Sequence, residues 1–574
     1  MSARPNDRAN TLAPWIQVPL QDAASRYLRG HEEGSPLYPA GSLASGAAME
    51  RRAGKLDSGL NAWPGNRAEL VTWLKEQNAP EILGTLHSAQ AENLAAAGRP
   101  DALFVLTGQQ PGLLGGPALG LHKALTAVGH ARAAASRLGR PVIPVFWAAG
   151  DDSDLAESNA AEFLEPGADM AASGLSLHFD EPEAAIPMSL RVPSEEERAR
   201  LFDALPADWS DAMRALAREA YAPGRSLTQG FLHLMNALLG EEGLLFVDGF
   251  SAAQRPAAQA ILARVAGDSH AFYEALARGT KRLGDALNVP PQVPVRPGTV
   301  PVFILEEAPG GAGTAAPRRE RLYASDSGRV YTAGAEAHDL RASFDARVLL
   351  HSALTRPLVV EHLFPVLGHV LGPAELRYFA QIADVFPAFG LAFPLLAPRE
   401  QAMVVPTAGW ATLEALGFVP NELFDLRPSL VRERLTERAW KQHPAAQDFP
   451  EEASRVFQDT MKAYQARWFA GADFESAHRR MGRALGYYRE QARKRVFEQK
   501  GAHAFHSLQP LLRWLGNGAQ DRHLNALSLR NALGAEDFAA LKTVLMKPEG
   551  AAHAFRWSTL WENAGSPENS GGIA

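Results

Sequence analysis

The stretch LFVLTGQQPGLLGGP at residues 103–117, with the Ala- and Leu-rich segment that follows it and PVIPVFW at 141–147, decides the fold. Leu103–Leu106 is an apolar run of strand type, Thr107–Pro117 is rich in turn-forming residues, and Pro117 suits the first turn of a helix over Ala118–Leu138. Gly139, Arg140 and Pro141 stop that helix, and Val142–Trp147 reads as a second buried strand ending near Gly150. Strand, glycine loop, helix and strand form a βαβ unit, whose right-handed crossover implies a parallel sheet. Further strands are expected at Gly243–Asp248, after a helix around Leu227–Leu239, at Pro290–Leu305 and at Leu391–Leu396, the last preceded by a helix over Pro373–Phe386. Glu165–Leu227 breaks the regular pattern and reads as an insertion, while Ala308–Pro317 reads as a mobile Gly/Ala/Pro loop. From Asp473 to Lys500, Phe474, Ala477, Met481, Leu485, Tyr488, Ala492 and Val496 recur at three- and four-residue steps. That narrow apolar seam fits either a coiled coil or a bundle helix. Gln520–Met546 adds amphipathic helices, and the Gly/Ser-rich Gly565–Ala574 reads as a frayed tail.

At 574 residues the chain exceeds one ordinary domain, and its 46% hydrophobic content is enough for a large core. A net charge of −7 disfavours a general nucleic-acid binder. With no cysteine, disulfides, zinc ribbons, cysteine-ligated clusters and thiol nucleophiles are excluded. No run approaches the roughly 18 apolar residues of a membrane helix, and Met1–Gln17 has no signal-peptide stretch, so a cytoplasmic protein without membrane partners is expected.

Ligands of an open parallel sheet bind at the carboxyl ends of its strands, and two polar clusters fall there. The first is Thr107-Gly108-Gln109-Gln110 with Gly115 and Gly116, leading into the helix that carries His122 and Lys123. Its glycines and the helix N-terminus suit phosphate, and its glutamines suit a nucleotide or an amide; a tight loop with solvated glutamines is the plainer account. Walker and dinucleotide glycine spacings are both missing. The second cluster is Asp151-Asp152-Ser153-Asp154. Three carboxylates at one strand end call for a metal, an ammonium group or an Arg/Lys side chain, unless ribose binding or helix capping uses them. Glu375, Tyr378 and Gln381 are spaced along neighbouring helix faces, and Arg399 follows a strand where it could reach an anion; core packing and solvation are the bland alternatives. The scattered histidines carry no metal-ligand pattern.

These motifs resemble the BshC family, the cysteine ligases of bacillithiol biosynthesis. The resemblance rests on Val105–Leu113 with Lys123, Pro141–Trp147, Asp151–Asp154, Gly243–Asp248, Arg356 through Glu375, Tyr378–Gln381 and Gln520–Asn525, and it runs from about residue 35 to 546. It implies an α/β fold: a Rossmann-like parallel-sheet core with inserted connecting segments and a C-terminal helical coiled-coil domain used for homodimers. The core would take residues 1–164 and 228–420, with 306–345 as a second connecting segment, 165–227 as the first, 421–564 as the helical region and 565–574 as a disordered tail. The implied reaction joins L-cysteine to the amine of glucosaminyl-malate, with ATP or another nucleotide as activator and Mg2+ as its candidate companion. Carried over residue by residue, Gln110, Lys123, Asp152 and Asp154 would be catalytic. Thr107, Gly108, Gln109, Gly115, Gly116, Asp151, Glu375, Tyr378, Gln381 and Arg399 would bind substrate or nucleotide. Ser153 stands where the family often has histidine, which removes a proton shuttle and leaves two alternatives: a divergent ligase of another acid and amine, or a non-catalytic dimeric ligand-binding protein.

Overall fold

The computed structural model describes residues 16–19, 22–30, 35–58, 63–164, 172–176, 185–207, 209–296, 298–307, 316–325, 328–333, 338–444, 451–471, 473–516, 520–549 and 551–557. At its centre is a five-stranded sheet of β1 (Leu103–Gln109), β2 (Val142–Ala148), β3 (Leu245–Asp248), β4 (Val366–Leu371) and β5 (Leu395–Pro398). All neighbours are parallel, in the order β3-β2-β1-β4-β5. This is the Rossmann order, and chain direction across the sheet reverses between β1 and β4. Adjacent strand ends there feed helices on opposite faces, leaving a crevice beyond their carboxyl ends.

Helix α1 (Leu119–Leu138) fills the crossover between β1 and β2. It is Ala-rich because both of its flanks are covered. Ala127, Ala131 and Ala134 pack on Leu103, Val105 and Val142 of the sheet. Leu121, Ala124, Leu125 and Val128 join the cluster that holds Leu527, Leu541 and Leu545 of the C-terminal helix Ala526–Leu545. Helix α2 (Pro373–Gln381) starts directly after β4 and is shorter than the expected Pro373–Phe386; Val385–Ala388 forms a separate turn.

Several elements differ from expectation. β1 continues three residues beyond its apolar run, because Thr107 satisfies its hydroxyl by donating to the Val370 carbonyl of β4 at 2.9 Å. β4 itself was not expected, since Gly368 and His369 interrupt its apolar pattern, and β5 lies at 395–398 rather than 391–396. The strand foreseen within Pro290–Leu305 exists as Thr299–Glu306 but belongs to a separate antiparallel sheet. Its neighbours are Val348–His351 on one side and Arg318–Ala324, then Val330–Thr332, on the other. A third sheet pairs Ile16–Pro19 and Gln401–Pro406 with Ala551–Trp557, tying both ends of the described chain to the core.

Within the expected insertion, the strand Ala172–Ser176, which pairs with Ala160–Leu164 just before it, and helices Glu195–Asp203 and Asp211–Ala220 are defined, and Leu201 and Trp209 pack into the main cluster with Phe163. Residues 165–171, 177–184 and 208 of that insertion lie outside the described residues, as do 308–315 of the expected loop and the tail Gly565–Ala574. The C-terminal region contains helices Pro428–Lys441, Glu451–Trp468 and Glu475–Val496. On the last of these, Val496 and Ala492 pack on Ala439 and Trp440, while Tyr488 stays 63% exposed.

Candidate functional site

A cavity of about 560 Å3 opens at the β1/β4 switch point, within the size range of small-molecule sites. Its walls come from the ends of β1 and β2, the starts of α1 and α2, the antiparallel sheet and the C-terminal region. Thus one strand end brings Gln109 and Gln110, the next brings Asp151 and Asp152, α1 brings Lys123, and α2 brings Glu375 and Tyr378.

The two polar clusters of the sequence meet here. Gln110 Nε2 donates to Asp152 Oδ2 at 3.0 Å. The other Asp152 oxygen accepts from the Ser153 backbone at 2.8 Å and from Arg319 Nη1 at 3.1 Å. Arg319 is itself fixed, since it donates to the His351 carbonyl at 2.8 Å and lies 3.8 Å over the Phe303 ring. Asp151 is buried and pairs with His351 Nδ1 at 3.0 Å. Burial alone would raise the Asp151 carboxyl, but His351, Arg319 and Arg356 outweigh it and hold the group below its ordinary value. The positive partner demanded by the acidic cluster is therefore the protein itself.

A second charged chain runs along the opposite wall. Lys123 Nζ donates to the Gly108 carbonyl at 2.9 Å and to Gln109 Oε1 at 3.0 Å, and pairs with Glu375 Oε2 at 2.5 Å. Glu375 also caps α2 by accepting from the Gly372 backbone at 2.8 Å, so its carboxylate is placed by the helix start. Arg356 lies 3.5 Å from Glu375 Oε1 and donates to the Tyr378 hydroxyl at 2.5 Å. Burial pushes Glu375 up, and the Lys123 and Arg356 charges overcome this to hold it below the usual carboxylate range. Glu157, at the rim, is pushed up by burial and by Asp154, against the bond from Gln110.

The base of the cavity is tied to the C-terminal region. Arg399 is buried and forms an ion pair with Asp521, which also faces His122 Nδ1 at 3.7 Å. The next residue, Arg522, is exposed and lines the cavity; among the described residues it has no ion-pair partner.

Gly108, Gln109, Gln110, Lys123, Asp151, Asp152, Glu375, Tyr378 and Arg399 all line this one space. Five other candidates do not. Thr107 is spent on the β1–β4 pairing. Gly115 and Gly116 serve docking: a Cβ on Gly115 would meet Ala526 at 3.5 Å, and the Gly116 carbonyl accepts from the Ala526 backbone at 2.9 Å. Gln381 is fully buried and holds the chain before the antiparallel sheet, accepting from the Gln292 and Val293 backbones and donating to Thr280. Asp154 is exposed at the start of the turn Leu155–Ser158, off the cavity, with no side-chain capping bond. Sequence reasoning missed Arg319, His351, Glu157 and Arg522, and gave Arg356 no role. Arg356 and Arg522 sit in motifs that carry the resemblance, but Arg319, His351 and Glu157 sit in segments whose local pattern reads as surface charge or strand end, so no local signal marks them.

Comparison with known proteins gives consistent matches. The family model for "Bacillithiol biosynthesis BshC, N-terminal Rossmann-like domain" matches residues 14–400. A protein of Symbiobacterium thermophilum named "Putative cysteine ligase BshC" is 30% identical over 409 residues, 67% of this chain and 70% of that one. Proteins of the same name from Salinibacter ruber and Geobacillus kaustophilus are 29% and 24% identical, over 63% and 80% of this chain and 65% and 79% of theirs.

Proposed function

The chain belongs to the BshC family of bacillithiol biosynthesis, and from that premise we propose that it is a ligase joining L-cysteine, through its carboxylate, to the amine of glucosaminyl-malate. The observation that carries this reading is the 3.0 Å bond from Gln110 to Asp152, which brings a donor–acceptor loop and an acidic strand end to one cavity at the switch point. Amide formation from a carboxylate and an amine needs activation of the acid, close positioning and electrostatic compensation, but no covalent nucleophile. Asp152 is suited to receive an ammonium or hydroxyl group, because it is half-buried and reached by the cavity. Lys123 and Arg356 are suited to offset charge on an activated carboxyl, though each already shares Glu375.

An ATP-like nucleotide would supply the activation, turning a carboxylate oxygen into a leaving group. The residues present fit its phosphates: Arg356, Arg399 and the unpaired Arg522 line the cavity, together with Pro117 and Leu119 at the N-terminal end of α1. Mg2+ would come with the nucleotide, held by its phosphates and at most one or two carboxylates of the cavity such as Asp152.

Two copies are proposed to associate through the C-terminal helices, whose seam is exposed. Among the described residues no helix is long and apolar enough to cross a membrane.

The direct test incubates purified protein with ATP, cysteine and glucosaminyl-malate and looks for the amide by mass spectrometry. The expected result is a nucleotide-dependent product. Its absence under every nucleotide condition, with another acid and amine joined instead, would replace the substrates and keep the chemistry. Binding without turnover of any pair would replace the ligase reading with a ligand-binding one.

A further inference from the structure

His351 ends the strand Val348–His351 and projects from the antiparallel sheet into the wall of the cavity. Its Nδ1 stands 3.0 Å from Asp151 Oδ2, and both side chains are 3% exposed. A carboxylate at that distance selects the tautomer that carries its proton on Nδ1, which leaves the Nε2 lone pair free to accept one. Among the described residues Nε2 has no hydrogen-bond partner, although it is buried; Asp151 Oδ1 and Trp147 Nε1 are buried and unpartnered as well. Unsatisfied buried polar atoms at the ends of two facing strands, with Asp151 and His351 both lining a ligand-sized space, are expensive unless a bound molecule completes them. The imidazole is also held firmly. Its backbone carbonyl accepts from Arg319 at 2.8 Å, and its ring lies 5.5 Å from that of Trp147.

We propose that His351, oriented by Asp151, is the general base of this cavity and takes a proton from the attacking amine through Nε2. The proposal rests on the amide-forming reading and deepens it. The amine nitrogen forms a bond to the carbonyl carbon of an activated acid, an acyl group bearing a phosphate-type leaving group. The nitrogen's proton passes to Nε2, the carbon–oxygen bond to the leaving group breaks, and the electron pair departs with the phosphate. The imidazolium formed is stabilised by the Asp151 carboxylate, whose ionised form Arg319 and Arg356 also favour. A base in this position also answers the absence of histidine at Ser153: the proton acceptor comes from a different sheet, some two hundred residues later in the chain. General-base assistance of this type is worth about 10²–10⁴ in rate.

The test uses His351→Asn, whose side-chain amide can replace Nδ1 as donor to Asp151 but offers no basic nitrogen at the place of Nε2. The groups facing His351 are Asp151, with Asp152 and Asp248 behind it, Arg319 on the carbonyl side, and Arg356 across the cavity; all remain in the variant. A folded variant is expected, with a melting temperature close to wild type, KM for the amine within about threefold, kcat lower by about 100-fold or more, and no acidic limb in the kcat profile. In wild type, 15N-histidine NMR is expected to show the Nδ1-protonated tautomer. A variant that keeps more than a third of kcat with the acidic limb intact would overturn the role of His351, as would an Nε2-protonated ring in wild type. If His351→Asn does not fold, the NMR tautomer and the loss of kcat in Asp151→Asn decide instead. Wild-type protein that joins no acid to any amine would overturn the ligase reading itself, and this role with it. Active wild type with an active variant would overturn this role alone.

Discussion

At the end of β1, Gln110 spends one amide proton on Asp152, and Asp152 divides its two oxygens between Gln110 and Arg319. Each side chain thereby fixes the other, so truncating either one loosens both. Gln110→Ala and Asp152→Ala are each expected to lower kcat/KM of the ligase reaction more than about tenfold, the scale of lost positioning, while circular dichroism and melting temperature stay near wild type. Full activity in both would remove these residues from the site. Asp248, at the end of β3, makes a prediction about stability instead. Burial raises its carboxyl from 3.8 to about 7, against bonds from Ser189 at 2.7 Å and the Phe250 backbone at 2.9 Å. Between those values the folded chain binds a proton that the unfolded chain has lost, so this group makes stability fall as pH rises from about 4 to about 7. In Asp248→Asn that component is gone: urea unfolding should show the variant gaining on wild type between pH 4 and pH 8 by on the order of 4 kcal/mol. Parallel profiles for the two proteins would contradict it. Of such residues, the sequence revealed those clustered at the ends of the two recognisable strands, Gln109 and Gln110 after β1 and Asp151 and Asp152 after β2. His351 and Arg319 stayed hidden because their roles come from partners more than 150 positions away, and nothing in their own neighbourhoods departs from ordinary strand and surface composition.

Among the elements, the β1–α1–β2 unit was legible because strands buried on both faces read as unbroken apolar runs, and because proline and glycine mark both ends of α1. β4 was not, although it forms half of the switch point. His369 within it is accommodated by Glu361, 3.5 Å away, and by the Phe379 ring at 5.3 Å, compensation that only tertiary structure supplies. The antiparallel strand at 299–306 was legible as a strand but not its sheet, and that at 318–324 was not read, for the same reason: sheet membership depends on partners rather than on local pattern. One helix contact gives a direct test. α1 approaches the end of the C-terminal helix so closely that a Cβ on Gly129 would stand 2.1 Å from the Met546 carbonyl. Gly129→Ala must therefore displace rigid backbone. Although alanine favours helix by about 1 kcal/mol, the clash is expected to win and to destabilise the protein by about 1–3 kcal/mol. Hydrogen exchange should then show faster opening of residues 526–546, and unchanged exchange there would mean that the two helices separate at no cost.

Taken as a whole, the molecule draws its cavity from segments spread over most of its length, and the helical region takes part through Asp521 and Arg522 while its long helices carry exposed aromatic side chains. Val456, Tyr464, Trp468, Tyr487 and Tyr488 along Glu451–Trp468 and Glu475–Val496, with Phe469 just past the first, are each between 49% and 68% exposed. Single exposed apolar residues are ordinary, but a run of large ones on one helix pair marks an association surface. Burying about 800 Å2 per partner would suffice for a stable dimer, and two helices of 18 and 22 residues can supply such an area. Sedimentation velocity is expected to give twice the 61.9 kDa mass of one chain. The double substitution Trp468→Glu with Tyr488→Glu should shift it to the single-chain mass and leave the core melting transition in place, because neither side chain touches the sheets. Activity discriminates further. If association is purely structural, the monomeric variant should keep amide formation within about threefold of wild type. A monomer with a hundredfold loss would show that a second copy completes the cavity, and a wild-type protein that sediments as a single chain would leave the exposed aromatic seam to a different partner.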